Sequence, residues 1–333
     1  MQRRDFLKLS AVGVAGLGLS KLTFGNDAFN ENQPLNCGWL DFPDSRRIFI
    51  EKNKYPFLCE LNNEIKGTGT GRTVLLWPYL EKAYGHPLAP HFQQTGDCVA
   101  HGYGLGIDVL TAVQGYGSLV PERWVAEAAT EVIYGGGRVQ IHGRKYSGDG
   151  MMGVDAGEFI RKYGVLLRQK YLNGKYDYTK YSPDLTDQMG QTGVPAALLP
   201  ICKLHPVRTV ALVKSWLEVR DSVCNGYPVI MCSSVGFSTK RGRDKDGFLL
   251  PGSQPWMHSM LIAGVDDTKR PGGLIINSWG PDFLAGSPKR LNQPDGSFWC
   301  DASVIDRAMK QGDSAAISNY VGYPIQDLPY QIW

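Results

Sequence analysis

The chain has no two cysteines separated by two residues, although it contains seven cysteines among its 333 residues. This absence argues against a structural zinc site, because such sites commonly use closely spaced cysteine pairs. A run of like charges is also missing. The formal net charge is only +3, and no basic stretch is long enough to predict nucleic-acid binding. Neither an internal repeat nor a low-complexity tract is present, and 43% hydrophobic residues predict an ordinary globular protein with a substantial core.

A long hydrophobic run is missing from the N-terminus as well. Residues 11–19 form a short, glycine-rich, weakly apolar stretch, too short to span a bilayer as a helix. The preceding Met-Gln-Arg-Arg-Asp-Phe-Leu-Lys resembles a twin-arginine export signal. We therefore expect residues 1–25 to be read by the twin-arginine translocase of a bacterium, and the protein to be periplasmic or secreted. The alternative is a cytosolic amphipathic tail.

The signal lacks an Ala-x-Ala cleavage motif. The best small-residue step lies near Gly25-Asn26. An uncleaved signal would leave an N-terminal membrane tether. Because twin-arginine substrates are exported folded, we expect the domain to fold before it leaves the cytoplasm.

Three segments carry residues with candidate chemistry. Cys98 follows the run Gln-Gln-Thr-Gly-Asp, His258 precedes an apolar run at 260–265, and Asn277 begins the tetrapeptide Asn-Ser-Trp-Gly. In chain order they supply a thiol, an imidazole and an amide able to orient the imidazole. Those are the three parts that acyl transfer by a cysteine nucleophile requires.

This arrangement resembles the papain-like cysteine peptidases over residues 88–323. That family has a Gln shortly before a Cys that opens a helix, a His that leads a strand, and an Asn-Ser-Trp-Gly turn. The chain departs from the family in three ways. Val99 stands where papain and the cathepsins carry an aromatic residue, the Cys-Gly-Ser-Cys signature is missing, and His258 and Asn277 lie further from Cys98 than the usual interval of about 130–150 residues. The chain therefore resembles a distant bacterial or phage-like branch.

The resemblance and the residue chemistry assign the same roles to the central residues. Cys98 is the predicted nucleophile, and its place at a helix N-terminus is expected to lower its pKa and favour the thiolate. His258 is the predicted general base and acid, and the side-chain oxygen of Asn277 is expected to fix its tautomer. The resemblance implies that Trp279 covers that hydrogen bond. The alternatives are a buried structural cysteine and a histidine satisfied within the core.

The predictions for the substrate side of the site rest on weaker patterns. The resemblance implies an oxyanion donor at Gln93 or Gln94, with the Cys98 N–H as the second donor. It also implies that Gly148 and Gly150 hydrogen-bond the substrate backbone, although a simple tight turn explains them equally well. Trp279 is a further candidate for substrate contact.

No cofactor and no metal are expected. His101, three residues after Cys98, is spaced for metal binding on a helix, but it is more simply read as an ordinary helix side chain. Besides the nucleophile, six cysteines remain. They would allow up to three disulfides in an oxidising compartment, or they are small buried hydrophobic residues.

The order of apolar patterns predicts an α+β fold with two lobes. The resemblance implies a papain-like architecture, with a helical N-terminal lobe, a β-barrel-like antiparallel C-terminal lobe and the active site in the cleft between them. Glycines at 102, 104 and 106 predict a closely packed central helix, with a glycine-rich loop as the alternative. The predicted helices cover 98–113, 121–134, 155–163 and 207–223, and the predicted strands cover 228–232, 260–265, 274–276 and 296–300.

The predicted boundaries place a signal at 1–25, an N-terminal extension at 26–85, a catalytic domain at 86–325 and a tail at 326–333. The helical lobe is expected at about 86–205 and the β lobe at about 206–325. The extension lacks a long charged helix, so it is not identified as an inhibitory pro-segment. It is expected to pack on the domain.

Together these features predict an exported cysteine hydrolase that cleaves peptide bonds through a thioester acyl-enzyme. Its expected partners are a peptide or protein substrate and the translocase, with no nucleic acid. Two alternatives stay open. One is a catalytically weak binding or structural protein that keeps the fold, and the other is a cell-wall amidase or peptidase.

Overall fold

The computed structural model describes residues 37–61, 64–117, 126–239, 242–286, 288–326 and 328. The predicted signal, its cleavage step and nearly all of the predicted C-terminal tail lie outside these residues. No helix within the described ranges is long and apolar enough to cross a membrane. The domain boundaries stay predictions.

Ten α-helices occur in the described part of the chain, and one π-helical segment, Gly136–Ile141, directly continues the fifth. The helices are α1 Pro43–Asn53, α2 Leu58–Leu61, α3 Trp77–Tyr84, α4 Cys98–Gly117, α5 Thr130–Gly135, α6 Gly153–Tyr163, α7 Pro183–Thr192, α8 Leu199–Cys202, α9 Trp216–Cys224 and α10 Ala302–Met309.

The described strands form one seven-stranded antiparallel sheet and one small hairpin. The strands are β1 Thr73–Leu75, β2 Lys170–Tyr171, β3 Tyr176–Asp177, β4 Thr209–Leu212, β5 Val229–Ser233, β6 His258–Asp266, β7 Gly272–Ile276, β8 Ser297–Asp301 and β9 Ala315–Ser318. The sheet order is β4-β9-β5-β6-β7-β8, with β1 also paired to β6, and β2 and β3 form the hairpin. The α+β class is as predicted, but the described strands leave the sheet open at β4 and β8 instead of closing it into a barrel.

Helix α4 packs directly on the sheet, and its glycines allow the close approach. A Cβ added at Gly102 would lie 2.8 Å from Ser259 Oγ, and one at Gly106 would lie 3.2 Å from a methyl group of Ile230. Glycine disfavours a helix by about 1 kcal/mol relative to alanine, so burial of α4 against β5 and β6 must offset that cost. The prediction of a central helix is confirmed, and a glycine-rich loop is excluded.

Two of the predicted helices have different limits. The helix expected over 121–134 begins only at Thr130. Ala128 instead bridges to Leu167 and its N–H donates to Asp108 Oδ1 at 2.8 Å, while residues 118–125 lie outside the described ranges. The stretch expected to be one helix over 207–223 is strand β4 followed by α9.

The break between β4 and α9 has a local cause. Ser215 Oγ accepts a hydrogen bond from Glu218 N at 3.3 Å, which caps the first turn of α9. Upstream of this cap, β-branched Thr209 and Val210 pair with β9. The prediction of a single helix over 207–223 is therefore wrong for the first half of that stretch. The Ser-x-x-Glu pattern marks the start of the helix.

The predicted strands are confirmed at β5, β6, β7 and β8. Strands β6 and β7 form a hairpin in which Leu261 pairs with Ile276 and Asp266 pairs with Gly272. In this register the residue after Ile276 lies beside the first residues of β6. The hairpin thus brings Asn277 to His258, as the sequence predicted without fixing the register.

Substitution of Gly102 by Val should lower the free energy of unfolding by about 1–3 kcal/mol, because the new methyl groups would overlap Ser259 and Ile230. Urea unfolding monitored by far-UV circular dichroism measures this change. Thr111→Val, which places the same side chain at a half-buried position of α4, is the matched control. Equal midpoints for the two variants would contradict close packing of α4 on the sheet.

Candidate active site

Cys98 is the first residue of α4 and is completely buried. Its Sγ accepts a hydrogen bond from Gly38 N at 3.2 Å, and the main-chain N–H of Ser259 is a second donor to the thiol. Ser259 directly follows His258, so the sulfur lies at the start of β6. The structure therefore brings the predicted nucleophile and the predicted base to the same place.

The expected lowering of the Cys98 pKa is wrong for this conformation. Burial raises the pKa of the thiol well above its ordinary value, and the neighbouring Cys37 raises it further. The two N–H donors act in the opposite direction but are outweighed. A position at a helix N-terminus does not lower the pKa of a thiol when burial removes the hydration of the thiolate.

His258 and Asn277 form a direct hydrogen bond, with 2.8 Å between Nε2 and Oδ1. The same amide oxygen accepts from Ser278 N at 2.7 Å, which identifies it as the oxygen. Because an amide oxygen can only accept, the hydrogen of neutral His258 resides on Nε2 and the lone pair on Nδ1. Nδ1 is buried and has no hydrogen-bond partner among the described residues. The imidazole is thus oriented so that Nδ1 carries a lone pair and can accept a proton.

Trp279 lies against the face of this imidazole. The two ring centroids are 4.5 Å apart with an interplanar angle of 23°, and Trp256 packs on Trp279 at 4.9 Å. Together these rings exclude water from His258, which is completely buried. Burial lowers the pKa of His258 to about 4, and the hydrogen bond to Asn277 acts in the opposite direction.

Of the two candidate oxyanion residues, only Gln93 is buried beside the site. Its main-chain N–H donates to Ser278 O at 2.8 Å, its side-chain oxygen accepts from Ser278 Oγ, and its Nε2 donates to Thr95 O at 2.9 Å. Gln94 is exposed. Gln93 therefore ties the segment before Cys98 to the Asn-Ser-Trp-Gly turn.

A short segment of the N-terminal extension crosses the site, and residues 37–40 are called the strap below. Trp39 N donates to Met257 O at 3.0 Å, Leu40 N donates to Met151 O at 3.1 Å, and Met151 N donates to Gly38 O at 2.9 Å. The main chain beside His258 and the main chain beside Gly150 thus both bind the strap. Sequence reasoning treated the extension only as a packing element and missed this contact.

The strap fits because small residues meet at its centre. A Cβ on Gly38 would lie only 1.7 Å from Gly96 O, and one on Gly150 would lie 2.5 Å from Gly38 O. The next residue, Trp39, is buried, and its Nε1 donates to Asp313 Oδ2 at 2.6 Å. The strap is therefore anchored by an indole within the core as well as by its main chain.

The two glycines predicted to contact substrate lie in a loop whose main chain is hydrogen-bonded by two side chains. Arg138 donates to the carbonyl oxygens of Gly148, at 2.6 Å, and of Gly150. Tyr134 OH accepts from Gly150 N at 2.9 Å. No pattern in the sequence pointed to Arg138, since it follows a run of three glycines without a motif of its own.

His101 is a buried helix side chain. Its Nδ1 lies 3.1 Å from Nδ1 of His91, and its Nε2 lies 3.3 Å from Asp97 Oδ2. Within the described ranges, no group of three or more His, Cys, Asp or Glu side chains is arranged to hold a metal ion. All seven cysteines carry free thiols in this structure.

Structural comparison finds similar solved proteins, whereas neither a protein-family model nor a curated protein sequence matches the chain. Xylellain, a cysteine protease from Xylella fastidiosa, aligns with 85% of this chain and 96% of its own, at 19% identity and a TM-score of 0.58. The chain has the papain-like cysteine protease fold.

Two weaker matches are procathepsins by name. Procathepsin B S9 from Trypanosoma congolense aligns over 85% of both chains at 12% identity and a TM-score of 0.47. Digestive procathepsin L 3 from the larval midgut of Tenebrio molitor aligns over 82% of this chain and 78% of its own, at 12% identity and a TM-score of 0.44.

The buried, neutral state of His258 predicts a pH-dependent contribution to stability. Its pKa in the folded protein is below the ordinary value of 6.5, so the unfolded chain binds a proton first. The contribution is therefore complete above about pH 6.5 and lost as pH falls towards 4, by up to about 3 kcal/mol. The measurement is the difference in unfolding free energy between wild type and His258→Gln across this range. A difference that is independent of pH would contradict the neutral imidazole.

Proposed function

We propose that this chain is a papain-like cysteine peptidase in which Cys98, His258 and Asn277 perform peptide hydrolysis, and that the strap holds it closed. The observation that carries the proposal is the hydrogen bond between His258 and Asn277, formed where the Cys98 sulfur accepts from Ser259 N. A histidine that served only the core would have both ring nitrogens hydrogen-bonded, whereas Nδ1 of His258 is buried without a partner among the described residues.

The proposed reaction begins when the strap leaves and substrate enters. His258 Nδ1 takes the proton of the Cys98 thiol, and the thiolate attacks the scissile carbonyl carbon. The tetrahedral oxyanion receives hydrogen bonds from the Cys98 N–H and, by the family resemblance, from the Gln93 side chain. The imidazolium then protonates the leaving amine, and a thioester remains on Cys98. Water activated by the same imidazole releases the acid product.

In the closed state both halves of the nucleophilic pair are neutral. Burial raises the pKa of Cys98 and lowers that of His258 to about 4, so proton transfer from thiol to imidazole is unfavourable. The strap also uses the main-chain groups of Met151 and Met257, which an extended substrate would need. These two effects support inhibition of the full-length chain by its own extension.

Export in a folded state is part of the proposal. A peptidase that folds in the cytoplasm can damage its host, and a closed site removes that hazard. The twin-arginine pattern at residues 1–25 and the strap twelve residues beyond its end are therefore mutually consistent features. The proposed location is the periplasm or the exterior of a bacterium.

Cys98→Ala and His258→Ala should each reduce hydrolysis of a peptide amide by about 10³-fold or more, because each removes one member of a coupled pair. Cys59→Ala, which removes an exposed thiol, should keep full activity and serves as the control. Release of fluorophore from a peptide library, and digestion of casein beside purified peptidoglycan, measure the activity. Turnover retained in Cys98→Ala would refute the mechanism, and digestion of peptidoglycan alone would favour a cell-wall enzyme.

Trp39→Ala should increase the rate of iodoacetamide labelling at Cys98 by at least about tenfold, because the strap loses its buried anchor and opens more often. Peptide mass spectrometry after a timed reaction measures labelling at this one cysteine. Phe42→Ala, which removes an exposed aromatic ring just beyond the strap, is the control. If Cys98 is labelled equally fast in wild type and both variants, the strap does not close the site.

A further inference from the structure

Cys37 is the strap residue whose chemistry the proposed hydrolysis does not use. It is partly exposed, whereas Cys98 is completely buried. It precedes Gly38, whose amide nitrogen is hydrogen-bonded to the Cys98 sulfur. A second thiol therefore lies beside the nucleophile, on the segment that covers it.

The covalent geometry limits how far apart these residues can be. Gly38 N lies 3.2 Å from Cys98 Sγ, and the Cα of Cys37 is two bonds from that nitrogen. The Cα of Cys37 is therefore at most about 5.6 Å from Cys98 Sγ. Disulfide-bonded cysteines have Cα atoms about 4.4–6.8 Å apart. The bound of about 5.6 Å ends on the Cys98 sulfur and not on its Cα, so joining the sulfurs requires that side-chain rotation and a main-chain adjustment of the strap bring the two Cα atoms into this range.

Two further observations agree with this placement. The Cys37 thiol contributes to the raised pKa of Cys98, second only to burial, so the two groups interact electrostatically. A Cβ built on Gly96 would lie 3.5 Å from the carbonyl oxygen of Cys37. The main chain of Cys37 is thus held against the turn that leads into Cys98.

We propose that Cys37 and Cys98 form a reversible disulfide that locks the strap over the active site under oxidising conditions. This inference rests on the proposed function, because it gives Cys98 its role as the nucleophile that is locked. The oxidant is a disulfide, either of low molecular weight or carried by a thiol-oxidising protein. Reduction of the Cys37–Cys98 bond returns two thiols and restores a strap held only by hydrogen bonds and packing.

The exchange proceeds in two balanced steps. The Cys37 thiolate attacks one sulfur of the oxidant, which forms a mixed disulfide and releases one thiolate. The Cys98 thiolate then attacks the Cys37 sulfur of that mixed disulfide, forms the Cys37–Cys98 bond and releases the second thiolate. Two electrons pass from the protein to the oxidant, and the two thiol protons go to the released thiolates. Cys37 reacts first because the oxidant can reach it, whereas Cys98 is fully covered.

Cys232 is the other thiol near the nucleophile, and its setting argues against it. It lies in β5, paired with Ser259 of β6, and its Sγ contacts Ser259 Oγ at 3.3 Å. Both Cys232 and Cys98 are completely buried, so no oxidant reaches either sulfur without opening the sheet or the strap. Cys37 is the partner that satisfies both proximity and access.

The test uses the reduced full-length protein incubated with oxidised glutathione at pH 8. Remaining thiols are blocked under denaturing conditions, and the non-reduced digest is analysed by mass spectrometry. The expected product is a peptide pair linked through Cys37 and Cys98, accompanied by at least a tenfold fall in iodoacetamide labelling of native Cys98. Both changes should reverse with dithiothreitol. Cys59→Ser, which lacks an exposed thiol, should form the same link.

Cys37→Ser and Cys37→Ala provide the matched variants. Either one should lose the linked peptide, and oxidised glutathione should then change labelling of Cys98 less than twofold. A link between Cys98 and Cys232, glutathione bound to Cys37 without an internal link, or equal loss of labelling in the Cys37 variants would overturn the proposal. Mass spectrometry detects the Cys37–Cys98 disulfide independently of enzymatic activity. If the disulfide is absent but the protein hydrolyses peptides, only the proposed disulfide is refuted. If the disulfide forms but the protein has no amidase activity, only the proposed function is refuted.

Discussion

The close approach of α4 to β6 is the constraint on which the site depends. Gly102 permits it, because a side chain at this position would occupy the space of Ser259 Oγ. With the helix at this distance, the thiol at its first residue reaches the N–H that follows His258. The β6–β7 register then delivers Asn277 to the other side of the imidazole. The helix–sheet contact and the β6–β7 register together therefore fix the positions of the three predicted catalytic groups.

Solvent access determines the protonation states of Cys98 and His258. In the presence of water, a thiol at a helix N-terminus beside an imidazole favours the ion pair. Here the strap, Trp279 and the sheet remove that water, and burial raises the pKa of the thiol and lowers that of the imidazole. The proposed function therefore requires two states of the same residues that differ in proton position. In that proposal the strap selects between them without altering the side chains of Cys98, His258 or Asn277.

The sequence was most informative where chemistry and local period coincide. The position of Asn277 near His258 could be predicted because its tetrapeptide follows an apolar strand. Close packing of α4 could be predicted because its glycines leave room for a neighbouring element. The start of α5 and the presence of β4 could not be predicted from local sequence patterns. They depend on main-chain pairing with Leu167 and Ser318, which are distant in the chain. The strap could not be predicted at all. Its binding depends on main-chain groups of Met151 and Met257, which every residue type carries and no motif records.

Asp313 shows how the closed state is built into the fold instead of being added to it. Its carboxylate accepts hydrogen bonds from Gly153 N and Val154 N at the start of α6, at 2.6 and 2.9 Å, and from the Trp39 indole. The residue therefore caps a helix of the domain and anchors the strap at once. Burial raises its pKa to about 6, so protonation in mildly acidic solution would weaken both sets of hydrogen bonds together. In the proposed function, release of the strap is thus energetically linked to the N-terminus of α6, which begins at Gly153, two residues after the Met151 main chain that the strap binds.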